Sequence, residues 1–212
     1  MCIRDRDNCP DHANPDQNDC DGNGEGDVCE IANGTQTDAD GDGFPDECLV
    51  TPPDNLVIHE IRIDHEGADD NEYVELRGDP GTSLDGLAYI VIGDGGGFDG
   101  TIESVTRLDG HVIQPDGFFV IAEDTFGLAG TVDLTLSSAD NELNLENGDN
   151  VTHILVANFF GAVNHDIDLD DDGVIDNAPW PSDSIVDIIA LIEEENPPTG
   201  TEFHYGCLLY TS

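Results

Sequence analysis

Two textures along the 212-residue chain predict a mainly β protein in two parts. Residues 7–51 have almost no apolar content, so this segment cannot build a hydrophobic core and must be ordered by other means. From Leu56 onward, short runs rich in valine, isoleucine and phenylalanine alternate with glycine and aspartate clusters. Many short strands at such spacing predict a β-sandwich of immunoglobulin size. Thr51-Pro52-Pro53 reads as the linker, which divides the chain into 7–51 and 52–206.

The first part is built on a repeat. Residues 19–29 realign on 38–48 at a shift of nineteen, and a short fixed period indicates stacked units. Its unit is an acidic loop that recurs a third time at 168–176. In each, acidic or amide side chains alternate into a glycine and then a further aspartate. Calcium takes about six to eight hard oxygens at about 2.3–2.6 Å, so alternation supplies carboxylates, glycine the sharp turn, and the next residue a carbonyl. Counting Asp19 as position one, Asp21, Asn23, Glu25, Asp27 and Glu30 fall at three, five, seven, nine and twelve, the full EF-hand ligand pattern without obvious flanking helices. The second loop offers Asp38, Asp40, Asp42, Phe44 through its carbonyl, and Asp46; the third offers Asp168, Asp170, Asp172, Val174 through its carbonyl, and Asp176. Leu49 and Pro179 stand at their twelfth positions, so both must find further oxygens from water, Glu47 or a neighbouring segment, and are expected to bind more weakly.

The strands follow in order. Runs at 56–63, 73–76, 87–92, 118–122, 132–136, 143–145 and 151–156 are each short, apolar or alternating, and bounded by turn residues. The run at 185–192 also fits a helical stripe through Ile185, Ile188, Ile189 and Ile192, and its context favours a strand. The third acidic loop falls between two late strands, as an insertion near 166–180. The two ends stand apart: residues 1–6 and 207–212 can be encoded by DNA strings that are reverse complements of each other. We read them as translated sequencing adapter, and the chain as a fragment of a longer protein.

Setting those ends aside leaves Cys9, Cys20, Cys29 and Cys48, all among the acidic loops. An even set in a core-poor segment points to disulfides and an oxidising compartment, with three possible pairings. Zinc held by thiolates is the competing reading, but the spacings are wider than paired CxxC. The formal net charge is −43, with five basic residues against 48 acidic ones and no lysine. Nucleic-acid affinity comes largely from lysine and arginine displacing counterions, which sets direct nucleic-acid binding aside. Calcium or high salt must relieve the self-repulsion of the fold. No apolar stretch reaches the roughly 20 residues of a membrane span.

Two resemblances sharpen this reading. Asp7-Asn8-Cys9-Pro10, Asn14-Pro15-Asp16-Gln17 and the first loop through Cys29 closely resemble the thrombospondin type 3 repeat, which implies a calcium-saturated, disulfide-linked wire. Cys20 departs from that pattern, so the family's disulfide order does not carry over. Leu56-Val57-Ile58-His59-Glu60-Ile61, Glu72-Tyr73-Val74-Glu75-Leu76, Ser83-Leu84-Asp85-Gly86 and Gly117-Phe118-Phe119-Val120-Ile121 are similar to a lamin tail domain of the bacterial secreted type. That resemblance implies an immunoglobulin-like sandwich that serves as a binding or display module.

Catalytic signals are lacking. There is no lysine nucleophile, GxSxG turn or phosphate-cradling glycine motif. His59 and His65, with Glu60 or Glu66, are better read as core or edge histidines than as a metal set, and Arg77-Gly78-Asp79 as a strand-to-turn position. The expectation is a non-enzymatic, calcium-binding extracellular module of a larger secreted or surface bacterial protein, with Ca2+ and an unidentified protein or surface as partners. The alternative is an accessory region of a secreted hydrolase, such as an extracellular nuclease, whose catalytic domain lies elsewhere.

Overall fold

The computed structural model describes residues 7–14, 17–39, 41, 43–63, 71–93, 100–138, 143, 145, 150–192 and 203–210. The chain divides into two compact units between Thr51 and Pro52.

The first unit is mostly loop. A short helix α1 (Asp27–Asn33) leaves the first acidic loop, and a single 3-10 turn (Asp46–Cys48) leaves the second. No flanking helix is evident for the first loop from its sequence, because seven residues are too few for an apolar period to show. What makes the helix is local: acidic Asp27 and Glu30 lie in its first turn, where the dipole favours negative charge. Gly34 then closes it in a left-handed conformation (φ 78°), its N–H reaching back to Ile31 O. Disulfides join Cys9 to Cys29 and Cys20 to Cys48. Cys29 and Cys48 occupy the same position in their two repeats, and each is tied to a segment upstream.

The second unit is a two-sheet β-sandwich. Its strands are β1 (Val57–Arg62), β2 (Tyr73–Arg77), β3 (Leu87–Gly93), β4 (Thr101–Arg107), β5 (Phe118–Glu123), β6 (Leu134–Leu136), β7 (Val151–Ala157), β8 (Ile185–Ile192) and β9 (Cys207–Tyr210). One sheet runs β1-β2-β5-β6 and the other β4-β3-β7-β8-β9, the partition of an immunoglobulin-like sandwich. Pairing is antiparallel throughout except for β5 with β6 and β8 with β9.

The ambiguous run at 185–192 is a strand, since pairing with β7 satisfies its backbone. The expected strand at 132–136 begins later, at Leu134: Asp133 N still donates to Val120 O at 2.9 Å, but Val120 N returns its bond to the Asp133 carboxylate at 2.8 Å and not to a backbone carbonyl. At 143–145 the described positions carry no strand, yet Leu143 and Leu145 are buried between the sheets. Strand β4 was not expected: Thr-Ile-Glu-Ser-Val-Thr-Arg has only two aliphatic residues, and pairing with β3 supplies what its apolar content does not. Strand β9 lies in the segment read as adapter-encoded. An open sheet edge presents unpaired backbone groups to any extended neighbour, and this pairing is indifferent to how the segment came to be encoded.

Strands β3 and β7 are buried at every position. Leu87, Tyr89 and Val91 point into the core between the sheets with Leu76, Phe119 and Leu155. Ala88, Ile90 and Ile92 face the other way, into a second core with Ile102, Ile154, Ile167, Trp180 and Tyr205. That second core is closed by the β7–β8 connection, residues 158–184, which crosses to the far edge of its own sheet. There it bonds β4, with Ile102 N donating to His165 O at 2.9 Å and Asn164 N to Ile102 O at 2.7 Å. Arg107 pins its start, donating to Phe159 O at 2.9 Å and lying over the Phe159 ring. The third acidic loop is the middle of this cover.

Candidate metal centres

The three acidic loops share one backbone device. In the first, Cys20 N donates to the Asp27 carboxylate at 2.9 Å and Gly24 N to Asp19 at 2.8 Å. In the second, Ala39 N donates to Asp46 at 3.2 Å and Gly43 N to Asp38 at 3.1 Å. In the third, Leu169 N donates to Asp176 at 3.1 Å and Gly173 N to Asp168 at 2.8 Å. In every case position two bonds the carboxylate of position nine, and position six bonds that of position one. Positions four and six are left-handed in all three: Gly22 and Gly24, Gly41 and Gly43, Asp171 (φ 51°) and Gly173 (φ 85°). Glycine adopts that conformation without strain and aspartate tolerates it, so the third loop keeps the turn without its first glycine.

The first loop is the most complete. Asp21, Asn23 and Glu25 are exposed, Asp19 is half-buried, Asp27 is buried, and Glu30 is 1% exposed on α1. Glu30 Oε1 accepts from Asn23 Nδ2 at 2.8 Å, which ties α1 to the loop, while the buried Glu30 Oε2 has no hydrogen-bond partner. Asn23 Nδ2 also donates to Asp21 Oδ2 at 3.0 Å. The amide nitrogen thus stands as a partial positive charge among carboxylates, the place a cation would take.

The asparagine and glutamine residues that precede this loop form a polar scaffold around it. Asn8 donates to Gln17 O at 2.8 Å, Asn14 to Asn8 Oδ1 at 2.6 Å, and Gly26 N to Asn8 O at 2.8 Å. A side chain at Gly26 would start 2.6 Å from Asn8 Oδ1, so only glycine lets the loop close against it.

In the second loop, Asp38 and Asp46 hold their shared positions, Phe44 is half-buried, and Asp40 and Asp42 lie outside the described residues. Both oxygens of Glu47, an expected supplementary ligand, accept from Thr37 N at 3.2 and 3.0 Å. These bonds lower its pKa and fix the entry to the loop.

The third loop is rooted in the sandwich. Asp168 is fully buried, and its Oδ2 also accepts from Tyr205 Oη at 2.8 Å. Tyr205 N in turn donates to Thr152 Oγ1 of β7 at 3.0 Å. Side-chain oxygens of Asp168, Asp170 and Asp172 lie within 4.8 Å of one another. The Asp172 charge beside it raises the Asp170 pKa, with Asp176, Asp168 and Asp171 adding to the effect. Val174 is exposed, and Asp176 turns its carboxylate to Leu169 N. Tyr205 and Thr152 escape sequence reasoning because nothing in their spacing points to the loop.

Both cysteine clusters are disulfides, so neither Cys9 with Cys29 beside His12, nor Cys20 with Cys48 beside Asp27, offers a thiolate to zinc. Arg77-Gly78-Asp79 is held by the fold, Gly78 N donating to Gly117 O at 3.0 Å and Asp79 accepting from Asn55 at 3.1 Å. No described helix is long and apolar enough to cross a membrane. A scan against protein-family models finds no match to this chain, and a search of curated proteins finds none either.

Proposed function

We propose that this chain is a calcium-stabilised extracellular module: a stalk of thrombospondin type 3 character joined to an immunoglobulin-like interaction domain of lamin-tail type, from a larger secreted or surface bacterial protein. Its role is structural and not enzymatic. Calcium neutralises clustered carboxylates, stiffens the core-poor stalk and secures the inserted loop, and so presents the sandwich to a protein or surface partner.

The observation that carries this reading is the hydrogen-bond frame repeated in all three loops, ending in the first at a buried Glu30 oxygen with no partner. A buried unpaired carboxylate oxygen is costly, and a cation at the loop centre offsets that cost. Two disulfides in a segment without a core fit an oxidising location.

Titration calorimetry of the oxidised chain with CaCl2 tests it. Saturable binding with heat lost on chelation is expected; no heat at millimolar calcium would refute the reading.

A further inference from the structure

We propose that His59, Glu60 and Glu75, on the outer face of the β1-β2-β5-β6 sheet, form a site for a late first-row divalent cation such as Zn2+, separate from the acidic loops.

Strand alternation would send the neighbours His59 and Glu60 to opposite faces. A bulge prevents this: Ile58 pairs with Leu76 and Glu60 with Glu75, so His59 and Glu60 together oppose Glu75. Ile58 is buried while His59 and Glu60 are both exposed. One ligand atom from each of His59, Glu60 and Glu75 lies within 4.8 Å of the others, near enough for small side-chain rotations to close on one ion.

The register supplies an independent reason for a cation. Glu60 and Glu75 are direct cross-strand partners, and like charges placed opposite one another destabilise a sheet. His59 Nδ1 meets Glu75 Oε1 at 2.7 Å, but a part-exposed pair of this kind contributes little and leaves the Glu60 charge to the neutral Tyr73 hydroxyl. A divalent ion balances both carboxylates. The imidazole nitrogen sets the selectivity, because nitrogen donors suit zinc, copper and nickel while the all-oxygen loops suit calcium.

The surroundings orient the set. Tyr73 Oη donates to Glu60 Oε1 at 2.6 Å, and the Phe118 ring lies edge-on to His59 at 5.4 Å between centroids. Three protein ligands leave a fourth position open. Through Tyr73, Glu75 and Phe118 the site borders a cavity of about 550 Å³, with room for a water or an outside ligand.

The test is calorimetric titration of ZnCl2 into the full oxidised chain at pH 7, with calcium present at millimolar concentration to fill the acidic loops. One zinc per chain is expected, weakened at least tenfold in His59→Ala and in Glu75→Gln, with calcium titrations of the same variants unchanged as the control for folding. The absence of saturable zinc heat, or a loss smaller than tenfold in His59→Ala, would overturn the proposal. Because calcium binding is read separately, failure here is distinguishable from failure of the calcium reading.

Discussion

At position twelve of the first loop, Glu30 holds one oxygen on Asn23 and buries the other without a partner. Replacing it by Gln keeps the shape and removes the charge, so Glu30→Gln should weaken the tightest calcium step at least tenfold, about 1.4 kcal/mol or more, in a calorimetric titration. Gly26 makes a different kind of prediction. Its would-be side chain collides with Asn8, so Gly26→Ala should lower the stability of the first unit by roughly 1–3 kcal/mol, seen as earlier proteolysis there. Buried His153 bonds Tyr89 Oη at 2.6 Å, and burial pushes its pKa down to about 3. The unfolded chain binds this proton near pH 6.5, so the contribution is intact above that pH and is lost as pH falls toward 3, at about 1.4 kcal/mol per unit. Acid titration followed by near-ultraviolet dichroism should show this arm, and the paired change Tyr89→Phe with His153→Leu should flatten it.

The β7–β8 connection is the element whose behaviour the third loop controls. It closes the second core through Ile167 and Trp180, and its loop is fastened by Tyr205 to Asp168. Tyr205→Phe removes one bond to a buried carboxylate and should destabilise the sandwich by about 1.5–3 kcal/mol in denaturant melts, with the larger loss in chelator. A stability change confined to the first unit would contradict this coupling. The clustering of Asp168, Asp170 and Asp172 is legible in the sequence, since they are spaced like the first loop and their oxygens converge. Its anchoring was not, because Tyr205 lies 37 residues away in sequence from the aspartate it holds. Strand β4 was missed for a similar reason: a polar alternating run becomes a strand only when a neighbour takes up its hydrogen bonds.

For the whole molecule, a net charge of −43 makes cations part of the folding equilibrium. Among the described residues, the first unit has two disulfides and no large apolar core, whereas the sandwich has two cores of its own. Chelator should therefore expose residues 7–51 to proteases before the sandwich, and reduction should widen the difference by about 2–5 kcal/mol per bridge lost. Equal cleavage of both units with and without calcium would count against that division of labour.

Local chemistry was determined by the sequence alone. Alternating aspartates, glycines at fixed offsets and short β-branched runs act over a few residues, so the loops, the two-part division and most strands follow from spacing. Tertiary structure alone decided which of three disulfide pairings forms, that a bulge brings His59 beside Glu60 and Glu75, and that the third loop seals a second core. These depend on groups far apart in the chain, and only packing and strand register fix such distances.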